Sequence, residues 1–556
     1  MGVLDFITIG IFAIGILLAG ASFSRSGSSM KNFFAAGGEV PWWISGLSLF
    51  MGFFSAGTFV VWGSIAYTSG WVSITIQATM CIAGFVVGFF LAPKWNRTGI
   101  MTAAEYIRER FGIKVQRMYT YLFLFISMFT TGSFLYPVAK IVEVSTGMPL
   151  SSSILLLGGI SILYVTIGGL WAVVVTDVLQ FVILTAAVLI VVPLSFERVG
   201  GFDSFVNGVP NGFFNLFNDD YTFWFIIPFC LYNMAFLGGN WSYVQRYTTV
   251  RTPRDAKKVG WLFGCLYLAC PLLWMLPPML YRVINPELNG LADEGAYLLM
   301  CKEVLPAGLL GLMLGGMIFA TASSLNGTLN ISAGVFTNDI FRRLYPDTSD
   351  KKLMKIARFS TIGFGLLAIV VALLIPLMGG IVNVVISVAA LTGVPLYLPI
   401  IWSLFSKRQS AGSLMFITIS CLAINAFFKF ITPYLFNFSF VRSEEMMTGV
   451  LFPLIMLIGY EFINLKNPVP FSFAKRDIVT VDDDVEVESS DNSFSIRVIG
   501  VGITFTGVLI ALLGLFSDRG AFLITSIALI LIILGLTIWI KNRKPLVKTV
   551  KKSEIC

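Results

Sequence analysis

PWWISGLSLFMGFFSAGTFVVWGSIAY, residues 41–67, carries no charge and exceeds the about 20 residues a helix needs to cross a bilayer. Gly46, Gly52, Ser55, Ala56, Gly57 and Gly63 crowd its middle. Small residues there weaken the helical ladder and let backbone carbonyls turn toward a cavity, where they suit a hard cation. The same composition also suits an unbroken helix whose small side chains admit close neighbours, and this stretch by itself favours that plainer reading.

The 556 residues around it are 56% hydrophobic and only 12% charged, so the apolar runs must meet lipid rather than fill one enormous core. The chain reads as an all-α polytopic membrane protein. No positive segment precedes its first apolar run, residues 3–22, which is therefore expected to stay as a helix rather than be removed as a signal. The seven Cys include no CxxC pair, so neither a zinc site nor a disulfide framework is indicated. The chain has no His, which excludes His-dependent hydrolysis, phosphorelay and His-rich metal sites.

Apolar segments recur about fifteen times between residues 3 and 540, with the division between two of them drawn at Gly168 and Gly169. Most of the 38 Lys and Arg fall in alternate loops and in the tail, among them Arg97, Arg108, Lys257, Arg342 and Lys544. That imbalance puts the N-terminus outside and the C-terminus inside a cell (inner) membrane, and supports an odd number of spans. The net charge of +8 then needs no nucleic acid to explain it. Residues 466–496 carry VDDDVEVESSDNS, which reads as a solvated tether or, alternatively, a docking element. TAAEYIRERFG (102–112) is basic and amphipathic and is expected along the inner membrane surface.

Three places within the spans are too polar for lipid. Residues 315–339, GGMIFATASSLNGTLNISAGVFTND, hold hydroxyls and amides where Leu would be expected, so they belong inside a bundle. Ser323 and Ser324 project about 100° apart on a helix, and Ala320 lies on the face of Ser323, so two hydroxyls and a carbonyl can meet one small cavity. Hydroxyls bonding back to their own helix are the plain alternative. Asp177 in GGLWAVVVTDVLQ (168–180) sits about 10 Å into its span. A carboxylate there is functional unless a neighbour such as Thr176 or Gln180 holds it protonated. Lys140 and Glu143, near a span end, are given no role. The third place is CLYNMAFLGGNWSYVQRY (230–247), with a Gly-Gly interruption and polar Asn233 and Asn240. Two interrupted helices thus open two successive sets of five spans that start on opposite sides of the membrane. This is the pattern of an inverted repeat with its site at midplane.

These motifs, in order, resemble a known family. FFAAGGEVPWWISGLSLF (33–50), TAAEYIRERFG, TIGGLWAVVVTDVLQ (166–180), GGNWSYVQRY followed by DAKK, SSLNGTLNISAGVFTNDIF (323–341) and FSKRQSAG (405–412) carry the resemblance over residues 25–410. Across that stretch the chain is similar to the sodium/solute symporters, which include the sodium/glucose and sodium/proline cotransporters. The resemblance implies a leucine-transporter-type core of 5+5 inverted repeats within 41–411, repeat one being 41–197 and repeat two 221–405. A leading helix and loop (1–40) would precede it, and trailing helices with the acidic loop and basic tail (412–556) would follow.

The resemblance further implies a sodium ion (Na+) on the carbonyls of Met51, Phe54 and Ala320 and the hydroxyls of Ser323 and Ser324. Asp177 would stand just cytoplasmic of it, on the ion's path. Asn326 and Gly327 stand where some relatives hold a second sodium with hydroxyls, which speaks against a second ion. For the solute, Asn233 matches an Asn that contacts sugar and Phe236 stands at a gating Tyr. Gly57 and Thr58 replace an acid and amide pair, Tyr267 replaces a Lys, and no sugar-binding Gln is evident near Ile386 or Ser387. Thr58, Asn233 and Phe236 are the pocket residues this implies. Without a buried Arg or Lys near that pocket, a neutral or zwitterionic solute is expected.

The expected function is symport of sodium with a small organic solute by alternating access. No nucleophile and base pair or phosphate loop suggests an enzyme. The rival is a transporter-like sensor that binds a solute and signals without transport, for which the acidic insertion is too short to be a signalling domain. The expected partners are the solute, sodium and the lipid bilayer, without nucleic acid or an obligate protein partner.

Overall fold

The computed structural model describes residues 1–22, 40–100, 102–164, 170–465, 490–517 and 519–542, and every regular element among them is a helix. Eleven helices among these residues are long and apolar enough to cross a membrane, or twelve if the bent pair Phe223–Gly239 and Trp241–Thr248 is one span. Three further expected segments are present as shorter apolar helices, Val3–Ala19, Trp42–Met51 and Leu150–Gly159. The division at Gly168 and Gly169, most of the acidic insertion and the basic tail beyond residue 542 lie outside the described residues.

The span read first is interrupted. The helix Trp42–Met51 ends, residues 52–55 run without helix, and the chain resumes at Ala56 through a π turn over Thr58–Trp62 into Gly63–Ser69. Glycine elsewhere serves the opposite purpose, letting intact helices touch. A Cβ on Gly84 would lie 2.8 Å from Gly264 Cα, and one on Gly260 would lie 2.4 Å from Gly88 Cα. On both Val72–Val86, continued through residue 97, and Pro253–Trp274, the two glycines are four residues apart and so share one helix face. Helices in lipid have no hydrophobic drive to associate, and such a seam lets dispersion between backbones hold them together.

The leading helix Val3–Ala21 is fastened to the start of the serine-rich helix Leu309–Val335. Asp5 Oδ1 accepts from the amides of Gly308 (2.7 Å) and Gly311 (3.0 Å), and Thr8 Oγ1 donates to Gly308 O at 2.9 Å. The first amides of a helix lack partners within it and carry its positive end, so a buried carboxylate is at home there. The amphipathic segment is the helix Ala103–Phe111, opened by Thr102, whose Oγ1 accepts from Glu105 N–H at 3.1 Å, and closed at Gly112 with φ +82°. It is pinned to the core as well, since buried Tyr106 shares a 2.9 Å hydrogen bond with Ser403 Oγ.

Candidate functional site

The interruption follows from where its amides go. In a continuous helix Ser55 N–H would close on Met51 O and Thr58 N–H on Phe54 O. Here Ser55 N–H reaches Phe53 O at 3.2 Å and Thr58 Oγ1 at 3.3 Å, while Thr58 N–H reaches Ser55 O at 3.0 Å. Both helical pairings are broken, at the two carbonyls singled out for sodium. Thr58 Oγ1 also donates to Phe53 O, so this hydroxyl bridges the gap it adjoins. Aromatic side chains anchor the gap: Phe54 stacks on Trp274 with centroids 4.1 Å apart, and Phe50 packs against Phe181, Tyr267 and Trp274. Anchored rings let the backbone between them depart from the helix without loosening.

The serine-rich helix lies against the gap. Thr321 Oγ1 accepts from Ala56 N–H at 2.9 Å and donates to Met317 O at 2.8 Å. Ala320, the adjacent residue, is buried. Ser324 lines a cavity of about 130 Å³ together with Gly52, Asp177 and Arg246. The side chains of Ser323 and Asn326 lie outside the described residues. Back-bonding within the helix is present too, at Thr321 and at Thr328, which donates to Ser324 O at 3.1 Å.

Asp177, on Leu170–Val199, is buried, and a hydroxyl from a different span reaches it. Ser48 Oγ, on the first half of the broken helix, donates to Asp177 Oδ2 at 2.6 Å, and Arg246 Nε donates to Ser48 Oγ at 3.1 Å. The carboxylate is thereby tied to both interrupted spans. Arg246 is half-buried and lines this second cavity beside Asp177, not the one that holds Thr58, Asn233 and Phe236.

The cavity that holds the expected pocket residues, about 180 Å³, has no charged residue in its wall. Thr58, Asn233 and Phe236 all line it. Their states differ. Thr58 has its oxygen engaged by the gap. Asn233 Nδ2 donates to Thr79 Oγ1 at 2.8 Å, and Thr79 donates on to Ile76 O at 2.5 Å, which fixes the amide's orientation. Phe236 packs against Phe53, Tyr243 and Tyr397, with centroids 6.1, 5.4 and 5.7 Å away. Phe236, Tyr243 and Tyr397 line both cavities and so form an aromatic septum between them.

Sequence reasoning passed over several of these groups. Gln77, in the same wall, is buried, and its Nε2 meets no hydrogen-bond partner. A lone amide in the uncharged run SITIQATM was the available signal. Tyr397 accepts from Asn240 Nδ2 at 3.2 Å, and Asn240 is where the second interrupted span bends by 58°. No local pattern announced that tyrosine or Thr321.

Facing the second half of the broken helix is the loop after Leu276–Ile284. Ser64 Oγ donates to Asp293 Oδ1 at 2.7 Å. Glu294 accepts from Tyr136 OH at 2.8 Å and from Ile381 N–H at 3.0 Å. Burial pushes the carboxyls of Asp293 and Glu294 above their ordinary values. Lys140 and Glu143, given no role from the sequence, pair at 2.8 Å.

Residues 33–419 match the model of the sodium:solute symporter family. The chain is similar to a sodium/glucose cotransporter of Vibrio parahaemolyticus, 27% identical over 547 residues, which are 90% of this chain and 97% of that protein. It is also similar to sodium/glucose cotransporter 1 of Mus musculus, 28% identical over 397 residues, 63% of this chain and 60% of the mouse protein. In three dimensions it resembles a Na+-coupled sialic acid symporter in a substrate-bound outward-open state. The TM-score is 0.68 at 23% identity, covering 84% of this chain and 99% of that one, a likeness of fold of the leucine-transporter type.

Proposed function

Because the chain belongs to the sodium:solute symporter family, we propose that it is a sodium-coupled symporter that carries one small neutral or zwitterionic organic solute across the membrane by alternating access. The observation that carries this reading is the gap at residues 52–55, where the helical pairings of the Met51 and Phe54 carbonyls are broken beside the serine-rich helix. Carbonyls released from a helix and hydroxyls from a second helix are the oxygen ligands a hard monovalent cation takes. We assign sodium to the carbonyls of Met51, Phe54 and Ala320 and the hydroxyls of Ser323 and Ser324. Asp177 is its way station on the cytoplasmic side, tied to Ser48 and Arg246. The uncharged wall of the 180 Å³ cavity supports a solute without net charge, held by Thr58, Asn233 and Phe236, which line it.

The repeats 41–197 and 221–405, the fifteen spans and an N-terminus outside a cell membrane belong to the same proposal. Sodium drives uptake only by favouring the conformation that binds solute. One charge crossing 100 mV supplies ~2.3 kcal/mol and a tenfold sodium gradient ~1.4 kcal/mol. Together they concentrate a neutral solute roughly several hundred-fold.

Proteoliposomes containing the full chain, offered labelled sugars, amino acids and polyols with sodium, lithium or potassium outside, test the reading. Uptake that needs sodium supports it. Uptake indifferent to sodium refutes coupling, and saturable solute binding without flux turns the protein into a sensor.

A further inference from the structure

The hydroxyl of Thr321 joins the two backbones from which the proposed sodium ligands come, and it does so by a direct hydrogen bond. Ala56 is the first residue of the resumed helix, so its amide has no acceptor within that helix. In the hydrocarbon of a membrane no water satisfies it, and an unpartnered amide is expensive there. Thr321 Oγ1 takes that amide at 2.9 Å and at the same time donates its own proton to Met317 O at 2.8 Å. The bond is buried, and both residues that form it are nearly inaccessible. Phe54 lies two residues before Ala56 and Ala320 one residue before Thr321, so the bond fixes the spacing between the Phe54 and Ala320 carbonyls.

We infer that Thr321 is a positioning residue for the cation: it sets the width of the gap into which sodium fits without touching the ion. The inference rests on the sodium assignment above. A hydroxyl is required, because its oxygen must accept from the Ala56 amide while its proton goes to Met317 O. Serine can do both, whereas valine fills the same volume and does neither. With valine, the resumed helix keeps an orphaned first amide, and the gap relaxes by bonding elsewhere. Sodium then meets a site whose two sides are no longer held at a set separation.

The test uses the full chain in proteoliposomes, comparing wild type, Thr321→Val, Thr321→Ser and Ser324→Ala, with Thr321→Ala as a second hydroxyl-free variant should valine reduce insertion. Thr321→Val is expected to raise the sodium needed for half-maximal uptake roughly fivefold or more, since a buried amide has lost its acceptor. Thr321→Ser should bring it back to within about twofold of wild type, because the same two hydrogen bonds can form. Sodium-induced thermal stabilisation of the purified variants should shrink in the same order. A role confined to helix packing would instead lower the melting temperature equally with and without sodium.

Wild-type sodium dependence in both hydroxyl-free variants overturns the inference, and a shift in Ser324→Ala alone would leave the sodium site itself standing. Sodium-independent uptake by the wild type removes the site and the role of Thr321 together.

Discussion

The two interrupted spans are broken by different means. At the second, the backbone leaves the helix for a single residue, Asn240, with φ −64° and ψ 131°. The same residue repairs the damage: its Oδ1 accepts from Ser242 N–H at 3.0 Å, its own N–H returns to Phe236 O at 3.0 Å, and its Nδ2 reaches Tyr397. This is a capped corner, self-sufficient apart from one tyrosine. At the first, four residues leave the helix, one amide depends on a threonine of a distant helix, and Thr58 doubles back over the gap. A break that caps itself only bends the chain. One that depends on another helix couples the position of that helix to whatever fills the gap.

If the first break is the ion site and the second a hinge in the wall, substitutions should separate them. The largest effect is expected of Ser324→Ala, which removes a proposed ligand: the sodium concentration for half-maximal uptake should rise about tenfold or more, since a lost charge-assisted contact is worth ~1.5–3 kcal/mol. An unchanged sodium titration would strike that residue from the site. Asp177→Asn should follow, with a several-fold rise in the same quantity and slower release on the cytoplasmic side, because Arg246 loses the opposing charge near it. Tracer exchange alongside net uptake distinguishes release from binding, and equal rates in both modes for wild type and variant would rule out a role on the path.

Smaller is the effect of Asn240→Ala, which removes a helix cap and should lower stability by about 1 kcal/mol. It is read as a drop in melting temperature that Asn240→Ser partly restores. A rise in sodium requirement exceeding that of Ser324→Ala would erase the distinction between the breaks.

The smallest effect concerns the loop that clasps the second half of the broken helix. Burial raises the folded-state pKa of Glu294 above its ordinary 4.5, so the folded protein holds that proton more tightly than the unfolded chain does. Stability from this group is then complete below about pH 4.5 and declines as pH rises through the raised value. Glu294→Gln should flatten that part of the melting-temperature profile, and an unchanged slope would show that Glu294 does not contribute to it.

Much of the fold was legible because its signals are local. Uncharged runs of membrane length mark helices, and small or amide residues inside them, at Gly52 and Ser55 or at Gly239 and Asn240, mark where a helix loses its own hydrogen bonds. The candidate ion ligands come from the family resemblance that the ordered motifs carry. Partners were not legible. Near Asp177 the sequence offers Thr176 and Gln180, whereas Ser48, which donates to its carboxylate, comes from a different span. Thr58 is a pocket residue by resemblance and lines the cavity, and nothing local says that its oxygen also closes a backbone gap.

The amino-acid order alone determined that this chain lives in lipid, that two of its spans are interrupted, and that a pocket within it would be uncharged. Hydropathy and backbone propensity act over a turn or two of helix, so a linear reading captures them. Only the tertiary structure decided that Thr321 meets Ala56, that Arg246 reaches Asp177 through Ser48, and that the buried Gln77 amide lacks a partner. A buried polar group takes its partner from whatever backbone or side chain comes within about 3 Å, and that is set by how distant helices pack.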